Sequence, residues 1–118
     1  MTKAEQSILV SVRNSLGVDQ LTGTIIYLNI NSVHKDEQVK FGDVIINVPW
    51  DAELVFVDLE PIMNWGHECC YLLIRKNADE VIRIEARMPP SLKDSTSTFR
   101  LLWRGDLAPE WAVMTNEN

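Results

Sequence analysis

The seven residues from Asn64 to Cys70, Asn-Trp-Gly-His-Glu-Cys-Cys, bring together the residue types in this chain that are most capable of chemistry. They contain both of its cysteines and one of its two histidines. A cysteine thiolate can act as a nucleophile when a histidine accepts its proton, and thiolate sulfur and imidazole nitrogen are also zinc ligands. The segment therefore raises two hypotheses, a thiol-dependent enzyme and a metal site.

The enzyme hypothesis takes Cys69 or Cys70 as the nucleophile. His67 or His34 would be its base, with an acidic residue orienting the imidazole. Partners in thiol enzymes normally meet through the fold, and no local signature of such a family surrounds these residues. Free cysteines are most often buried and inert. We therefore keep His67, Cys69 and Cys70 as alternative catalytic candidates and expect a structural role first.

The metal hypothesis needs His67 and both cysteines, together with a carboxylate such as Glu60 or Glu68. Successive side chains on a strand point to opposite faces, so adjacent thiols can share one ion only where the backbone is irregular. Structural zinc sites also separate their cysteines by intervening residues. We predict no bound metal and no cofactor, and adjacent cysteines are also too close for a relaxed disulfide.

The elements around this segment follow a strand pattern, because turn residues divide the apolar material into short runs that alternate or are rich in β-branched residues. The predicted strands span residues 8–13, 23–30, 44–48, 54–59, 70–75, 81–87 and 98–103. About seven short strands predict a mainly β fold, a single-domain antiparallel β-sandwich. In residues 8–30, a strand, an Asn-Ser-Leu-Gly turn and a Gly-Thr-Ile-Ile-Tyr-Leu strand resemble small immunoglobulin-like or transthyretin-like sandwiches. That resemblance concerns the fold alone.

The N-terminal segment also fits a helix. Thr2 and Glu5 have the spacing of a capping box, and Gly17 would suit a C-terminal cap. Against the helix, the density of β-branched residues in 8–13 favours a strand, which we expect there. The alternative is an α+β fold in which a helix at residues 3–16 packs on an antiparallel sheet.

Composition and charge restrict the class of protein. The net charge of −6 repels polyanions, so we predict no nucleic-acid partner. No apolar run suits a secretion signal or a membrane span, so we expect a cytoplasmic chain without membrane contact. We expect residues 1–118 to form one globular domain, with 115–118 as a mobile tail. Four acidic residues around one predicted strand are expected to be solvated: Asp51, Glu53, Asp58 and Glu60.

Tryptophans offer a second candidate site. Trp50, Trp65 and Trp111 fall in predicted loops, where indole rings are enriched at recognition hot spots. With His67 they are the predicted binding residues. Trp103, in contrast, alternates with apolar residues of its predicted strand and is expected in the core.

Two predicted strands are apolar on both faces, at residues 54–57 and 71–74. Such strands need cover from the chain termini or from another subunit. The sequence therefore predicts a small non-catalytic binding domain that contacts a protein partner and itself, as a homo-oligomer. The alternatives are a thiol- or histidine-dependent enzyme and a carrier of small apolar ligands.

Overall fold

The computed structural model describes residues 1–92 and 97–114, and within these ranges one sheet organises the chain. The elements in chain order are α1 (Lys3–Leu16), β1 (Ile25–Asn29), β2 (Gln38–Phe41), β3 (Val44–Asn47), β4 (Ala52–Asp58), β5 (Cys69–Arg75), β6 (Val81–Ala86), β7 (Phe99–Arg104) and a short 3-10 helix, Glu110–Ala112. Five strands form an antiparallel sheet in the order β6-β5-β4-β1-β7, and β2 pairs with β3 in a separate hairpin.

The N-terminal segment is helix α1, so the strand predicted for residues 8–13 was wrong and the alternative helix at 3–16 is observed. The Thr2 hydroxyl accepts the Glu5 backbone N–H at 3.0 Å, and the Glu5 carboxylate accepts the Thr2 N–H at 2.9 Å. Gly17 ends the helix in the left-handed region, with φ 68°. Both ends are therefore capped, and burial of the face that carries Val12 outweighs the β propensity of the segment.

Both faces of the central strands of the five-stranded sheet, β1, β4 and β5, are covered within the chain. On one face, the helix side, α1 packs on side chains that include Ile26, Leu28, Val55, Val57, Cys70, Leu72 and Ile74. On the other face, the hairpin side, the β2-β3 hairpin and the segment after β7 pack on side chains that include Tyr27, Leu54, Phe56, Cys69 and Tyr71. Strands β4 and β5 are therefore apolar on both faces without needing a second subunit as cover.

The mainly β class predicted from the sequence is confirmed, since seven strands and one α-helix occur in the described ranges. Six predicted strands overlap observed ones, and β2 has no counterpart among the predictions. The two-sheet sandwich is not confirmed, because a helix covers one face and a hairpin of two strands the other. The resemblance to immunoglobulin-like or transthyretin-like sandwiches loses its basis, because its first strand is helical.

A β-bulge in β7 determines where Trp103 lies. Trp103 pairs with Ile26 and Leu101 pairs with Tyr27, so Leu102 is an extra residue in the ladder. Leu102 and Trp103 consequently both pack on the helix side, whereas Leu101 packs on the hairpin side. The predicted alternation of Trp103 with its apolar neighbours therefore stops at the bulge.

Two parts of the chain lie outside the described residues. They are 93–96, in the loop predicted before β7, and 115–118, the predicted mobile tail. Within the part that is described, no helix is both long enough and apolar enough to cross a membrane.

Candidate functional site

Strand β5 places the two thiols on opposite faces of the sheet. Cys69 lies in the hairpin-side core and Cys70 in the helix-side core, and both residues are fully buried. Burial raises the pKa of each thiol to about 12. Nucleophilic attack and metal ligation both require a thiolate, so two protonated thiols that point apart are poorly suited to either at neutral pH.

His67 lies in the connection between β4 and β5, where its buried ring joins two parts of the chain. Its Nδ1 is 2.7 Å from the Asn64 carbonyl oxygen, and its Nε2 is 2.8 Å from Asp58 Oδ1. Because a carbonyl oxygen can only accept, Nδ1 must carry a proton. Oδ1 of Asp58 also accepts the backbone N–H of Glu60 at 3.2 Å. Asp58, at the end of β4, therefore holds the beginning and the end of this connection together.

The contact between Asp58 and His67 contains one shared proton. Burial raises the pKa of the Asp58 carboxyl above its ordinary value, although the hydrogen bond and charge of His67 act in the opposite direction. The pair is either a carboxylic acid bonded to a neutral imidazole or a carboxylate bonded to an imidazolium. Both forms have zero net charge and satisfy the buried polar atoms. The arrangement fixes a loop more readily than it moves a proton to a substrate.

In the described residues, the histidines of the alternative thiol enzyme are not hydrogen-bonded to its cysteines. Both ring nitrogens of His67 are engaged by Asn64 and Asp58. The other histidine, His34, lies at the opposite end of the sheet, where its Nδ1 is 3.6 Å from Asp51 Oδ1. Across residues 1–92 and 97–114, no hydrogen bond joins either imidazole to a thiol.

Trp65 closes the hairpin-side core next to His67. The two rings stack with their centroids 4.3 Å apart and their planes at 21°. The other neighbours of the indole are the Phe56 ring, at 6.2 Å between centroids, and Met114, whose sulfur accepts the indole N–H at 2.8 Å. Trp65 thus attaches the β4–β5 connection to the segment that follows β7.

The predicted binding residues occupy different environments. Trp50 lies at the other end of the sheet, half-buried, with the Arg75 guanidinium carbon 5.7 Å from its ring centroid. Trp65 is half-buried and His67 is buried. Trp111, in the 3-10 helix, is 73% exposed. Of these four residues, Trp111 offers the largest fraction of its surface to a partner.

Trp111 shares its end of the sheet with other exposed apolar side chains. Strands β4 and β7 both end there, because Asp58 and Arg104 pair with the same residue, Ile25. The segments that follow these two strands carry four large exposed side chains, which we call the apolar end: Ile62, Met63, Leu107 and Trp111. The sequence prediction found the tryptophan and missed the other three, the adjacent pair Ile62-Met63 and Leu107, which belong to no alternating or helical apolar pattern.

The backbone that presents Leu107 and Trp111 is fixed. The N–H of Leu107 donates to the Thr22 carbonyl at 2.8 Å, and the segment passes so close to Leu21 and Thr22, just before β1, that only glycine fits at position 105. A Cβ atom on Gly105 would lie 2.2 Å from the Leu21 carbonyl oxygen. These contacts fix the backbone from which the exposed side chains project.

Among the described residues, no three histidine, cysteine, aspartate or glutamate side chains are grouped as metal ligands would be. No protein-family model, curated protein or solved structure matches the chain.

Proposed function

We propose that this chain is a non-catalytic binding domain that docks a protein partner through the apolar end. The observation that supports the proposal is the exposure of Leu107 and Trp111, 77% and 73%, on a backbone held by hydrogen bonds. A backbone that is already fixed does not have to be ordered when a partner covers its side chains, so binding loses less conformational entropy. Tryptophan is also among the residues that contribute most to protein interfaces.

The charge around the apolar end indicates the chemistry of the partner. Asp106 and Glu110 are exposed and adjoin Leu107 and Trp111 in the sequence. Arg104 Nη2 approaches Glu110 at 3.9 Å, but Arg104 is half-buried, so the solvent-facing charge is acidic. A second copy would bring like charges together, whereas basic residues would complement them. The partner we propose is a protein with an apolar cleft bordered by lysine or arginine.

Self-association through another surface and a cytoplasmic location remain part of the proposal. The two-faced apolar strands that suggested an oligomer are covered by α1 and the β2-β3 hairpin. Self-association therefore needs a different surface, and β6, at an edge of the sheet, offers one. The net charge of −6 supports a protein partner over nucleic acid.

The two alternative functions have less support. An enzyme centred on the cysteines would need a thiolate, and the pKa of both thiols is raised to about 12. A carrier of apolar ligands could use the groove between α1 and Trp103, which has a volume of about 350 Å³. Charged side chains of Arg13, Asp19 and Asp106 line that groove, and an apolar ligand would leave them without partners.

The test uses a double variant, Leu107→Ala with Trp111→Ala, and a matched control, Ile45→Ala. Ile45 lies in β3 and is 61% exposed, so its loss removes an exposed apolar side chain that is not part of the apolar end. A protein that the wild-type chain captures from a lysate of the cells in which the chain is naturally made is purified. Calorimetry then measures its dissociation constant from the wild-type chain and from each variant. We expect the double variant to bind at least about tenfold more weakly and the control to bind like the wild type.

The association rate provides the test of the acidic border. If basic groups of the partner face Asp106 and Glu110, the rate constant for association should fall as salt is added. Equal affinities of the purified partner for the double variant and the wild-type chain would contradict docking at the apolar end. Circular dichroism of all three chains verifies that they are equally folded.

A further inference from the structure

The two edge strands of the five-stranded sheet differ in how well they are protected. Strand β7 contains the bulge at Leu102, which interrupts a regular ladder. Strand β6 pairs with β5 in unbroken register from Val81 to Ala86 and contains no proline. Bulges and prolines are common devices that prevent an edge from pairing with another strand. Of the two edges, β6 is therefore the one that can accept a further strand.

Alternate residues of β6 direct their backbone groups away from β5. The Arg75 N–H donates to the Glu80 carbonyl at 2.9 Å, in the same register as the β5-β6 ladder. Residue pairs in an antiparallel ladder alternate between hydrogen-bonded and non-hydrogen-bonded. Because Arg75 and Glu80 are a bonded pair, every second residue of β6 after Glu80 is bonded to β5 and the residues between them are not. The residues whose N–H and C=O groups point outward are Val81, Arg83 and Glu85.

The next residue in this alternation is Arg87, but its backbone N–H already donates a hydrogen bond. The Asp43 carboxylate, from the turn of the β2-β3 hairpin, accepts this N–H at 3.2 Å. Among the described residues, β6 has a neighbouring strand on one side alone. The part of the edge that remains for pairing is residues 81–85.

The side chains of β6 carry complementary chemistry beside this edge. Arg83 and Glu85 lie on one face and form an ion pair with each other, in which Arg83 Nη2 is 3.4 Å from Glu85 Oε2. Ile82 and Ile84 lie on the other face, and Ile82 is 38% exposed. The strand therefore presents one cation, one anion and an apolar strip.

We propose that β6 pairs antiparallel with β6 of a second copy, about a two-fold axis at Ile84, so that one sheet continues through a homodimer. In this register Arg83 lies opposite Glu85 of the partner subunit, and the symmetry forms the pair twice. The backbone groups of both residues point outward, so the same pairs exchange hydrogen bonds. The inference rests on the self-association that is part of the proposed function.

The charges select this register over its neighbours. Moving the pairing by two residues in one direction places Arg83 opposite Arg83 of the partner subunit. The opposite shift places Glu85 opposite Glu85 of the partner subunit. Like charges directly opposite each other destabilise a ladder, whereas opposite charges stabilise it. The proposed register also brings the Ile84 side chains of the two copies together.

Charge reversal tests the pairing. Analytical ultracentrifugation of the wild-type chain over the micromolar range should show a monomer–dimer equilibrium. In Arg83→Glu or Glu85→Arg, two favourable pairs become two repulsive ones, and the dissociation constant should rise about tenfold or more. Mixed in equal amounts, the two variants should form a heterodimer, because the introduced carboxylates then face the introduced guanidinium groups.

The mixing experiment separates the proposed pairing from the ion pair within one chain. Each variant loses its internal Arg83–Glu85 pair, so association on mixing cannot come from repairing it. Hydrogen exchange gives a second readout. The amides of Arg83 and Glu85 should become protected as the protein concentration rises, whereas the amide of Ile84 is protected by β5 at every concentration.

Two results would overturn the inference in different ways. A wild-type chain that stays monomeric at every concentration would remove both the self-association and the β6 pairing. A dimer that persists unchanged in Arg83→Glu would remove the β6 pairing and leave self-association through another surface. Docking at the apolar end uses different residues and would survive either result.

Discussion

The two ends of the sheet each pair an aspartate with a histidine, and burial makes the two pairs opposite in character. At the apolar end, Asp58 and His67 are 2.8 Å apart, with side chains 2% and 4% exposed. At the other end, Asp51 and His34 are 3.6 Å apart, with side chains 59% and 64% exposed. The same two residue types thus form a structural pair at one end and a solvated surface pair at the other.

The two aspartates respond to their surroundings in opposite directions. The backbone N–H of Lys35 donates to Asp51 at 2.9 Å, and this hydrogen bond lowers the pKa of the carboxyl. Burial raises the pKa of Asp58. An exposed ion pair contributes little to stability, whereas loss of one member of a buried pair leaves the other without a partner. Burial, more than residue type, therefore decides what an Asp-His pair does in this fold.

Chemical labelling of the two cysteines, which lie at the Asp58 end of the sheet, should show the largest effect. In the native chain, the pKa of about 12 leaves both thiols almost entirely protonated. Compared with the urea-unfolded chain, we expect alkylation of Cys69 and Cys70 by iodoacetamide to be at least about a thousandfold slower near neutral pH. Mass spectrometry of the labelled peptides measures both rates.

The histidines provide the control for accessibility. Diethyl pyrocarbonate should modify His34 readily and His67 only after unfolding, because both nitrogens of His67 are hydrogen-bonded inside the protein. Rapid native alkylation of either cysteine, or equal modification of the two histidines, would show that the apolar end is open to solvent.

Removal of each aspartate should give the next largest difference. Asp58→Ala leaves the buried His67 Nε2 without a partner, and we expect the free energy of unfolding to fall by about 3 kcal/mol. Asp58→Asn keeps an amide beside the imidazole and should cost about 1 kcal/mol. Asp51→Ala should cause a much smaller change than either. Urea unfolding followed by circular dichroism measures all three, and similar losses in Asp58→Ala and Asp51→Ala would refute the structural role of the buried pair.

The pH dependence of folding stability should show the smallest effect. The contributions of the two aspartates should change with pH in opposite directions. Folding raises the pKa of Asp58, so its contribution to stability is present below the unfolded pKa, about 3.9, and is lost as the pH rises through the folded value. Folding lowers the pKa of Asp51, so its contribution is present above the unfolded pKa and is lost as the pH falls through the folded value.

Unfolding curves for the wild-type chain, Asp58→Asn and Asp51→Asn over the acid range measure these two trends. The loss of unfolding free energy in Asp58→Asn, relative to the wild-type chain, should shrink as the pH rises. The corresponding loss in Asp51→Asn should shrink as the pH falls. Parallel trends would mean that burial does not distinguish the two carboxyl groups.

The sequence predicted the strands well because their pattern is local. Runs of β-branched and aromatic residues mark six observed strands, including β5 and β6 on either side of a polar turn. The same rule failed at α1, where β-branched residues suggested a strand. The Thr2–Glu5 capping box and Gly17 were visible in the sequence, but the outcome depended on burial against the sheet, which a local pattern does not include.

The candidate site was predicted less well, because its features depend on the alignment of strands. Asp58 was expected to be solvated, yet it lies on the buried face of the strand that Leu54 and Phe56 also occupy, four and two residues earlier. The period of two was available as a signal, although acidic residues at strand ends are usually exposed. The bulge beside Trp103 and the meeting of two segments at the apolar end follow from strand pairing, and no spacing in the sequence reveals them.

The strand order has a consequence for how this chain emerges from the ribosome. The β4-β5-β6 meander uses neighbouring segments and can assemble while synthesis continues. Strand β1 is made earlier, but one of its edges stays open until β7 has been translated, more than half a chain later. During that interval the nascent chain displays an apolar strand with an unpaired edge, the kind of surface that chaperones and aggregating chains recognise. A pause in translation before β7 would prolong that exposure.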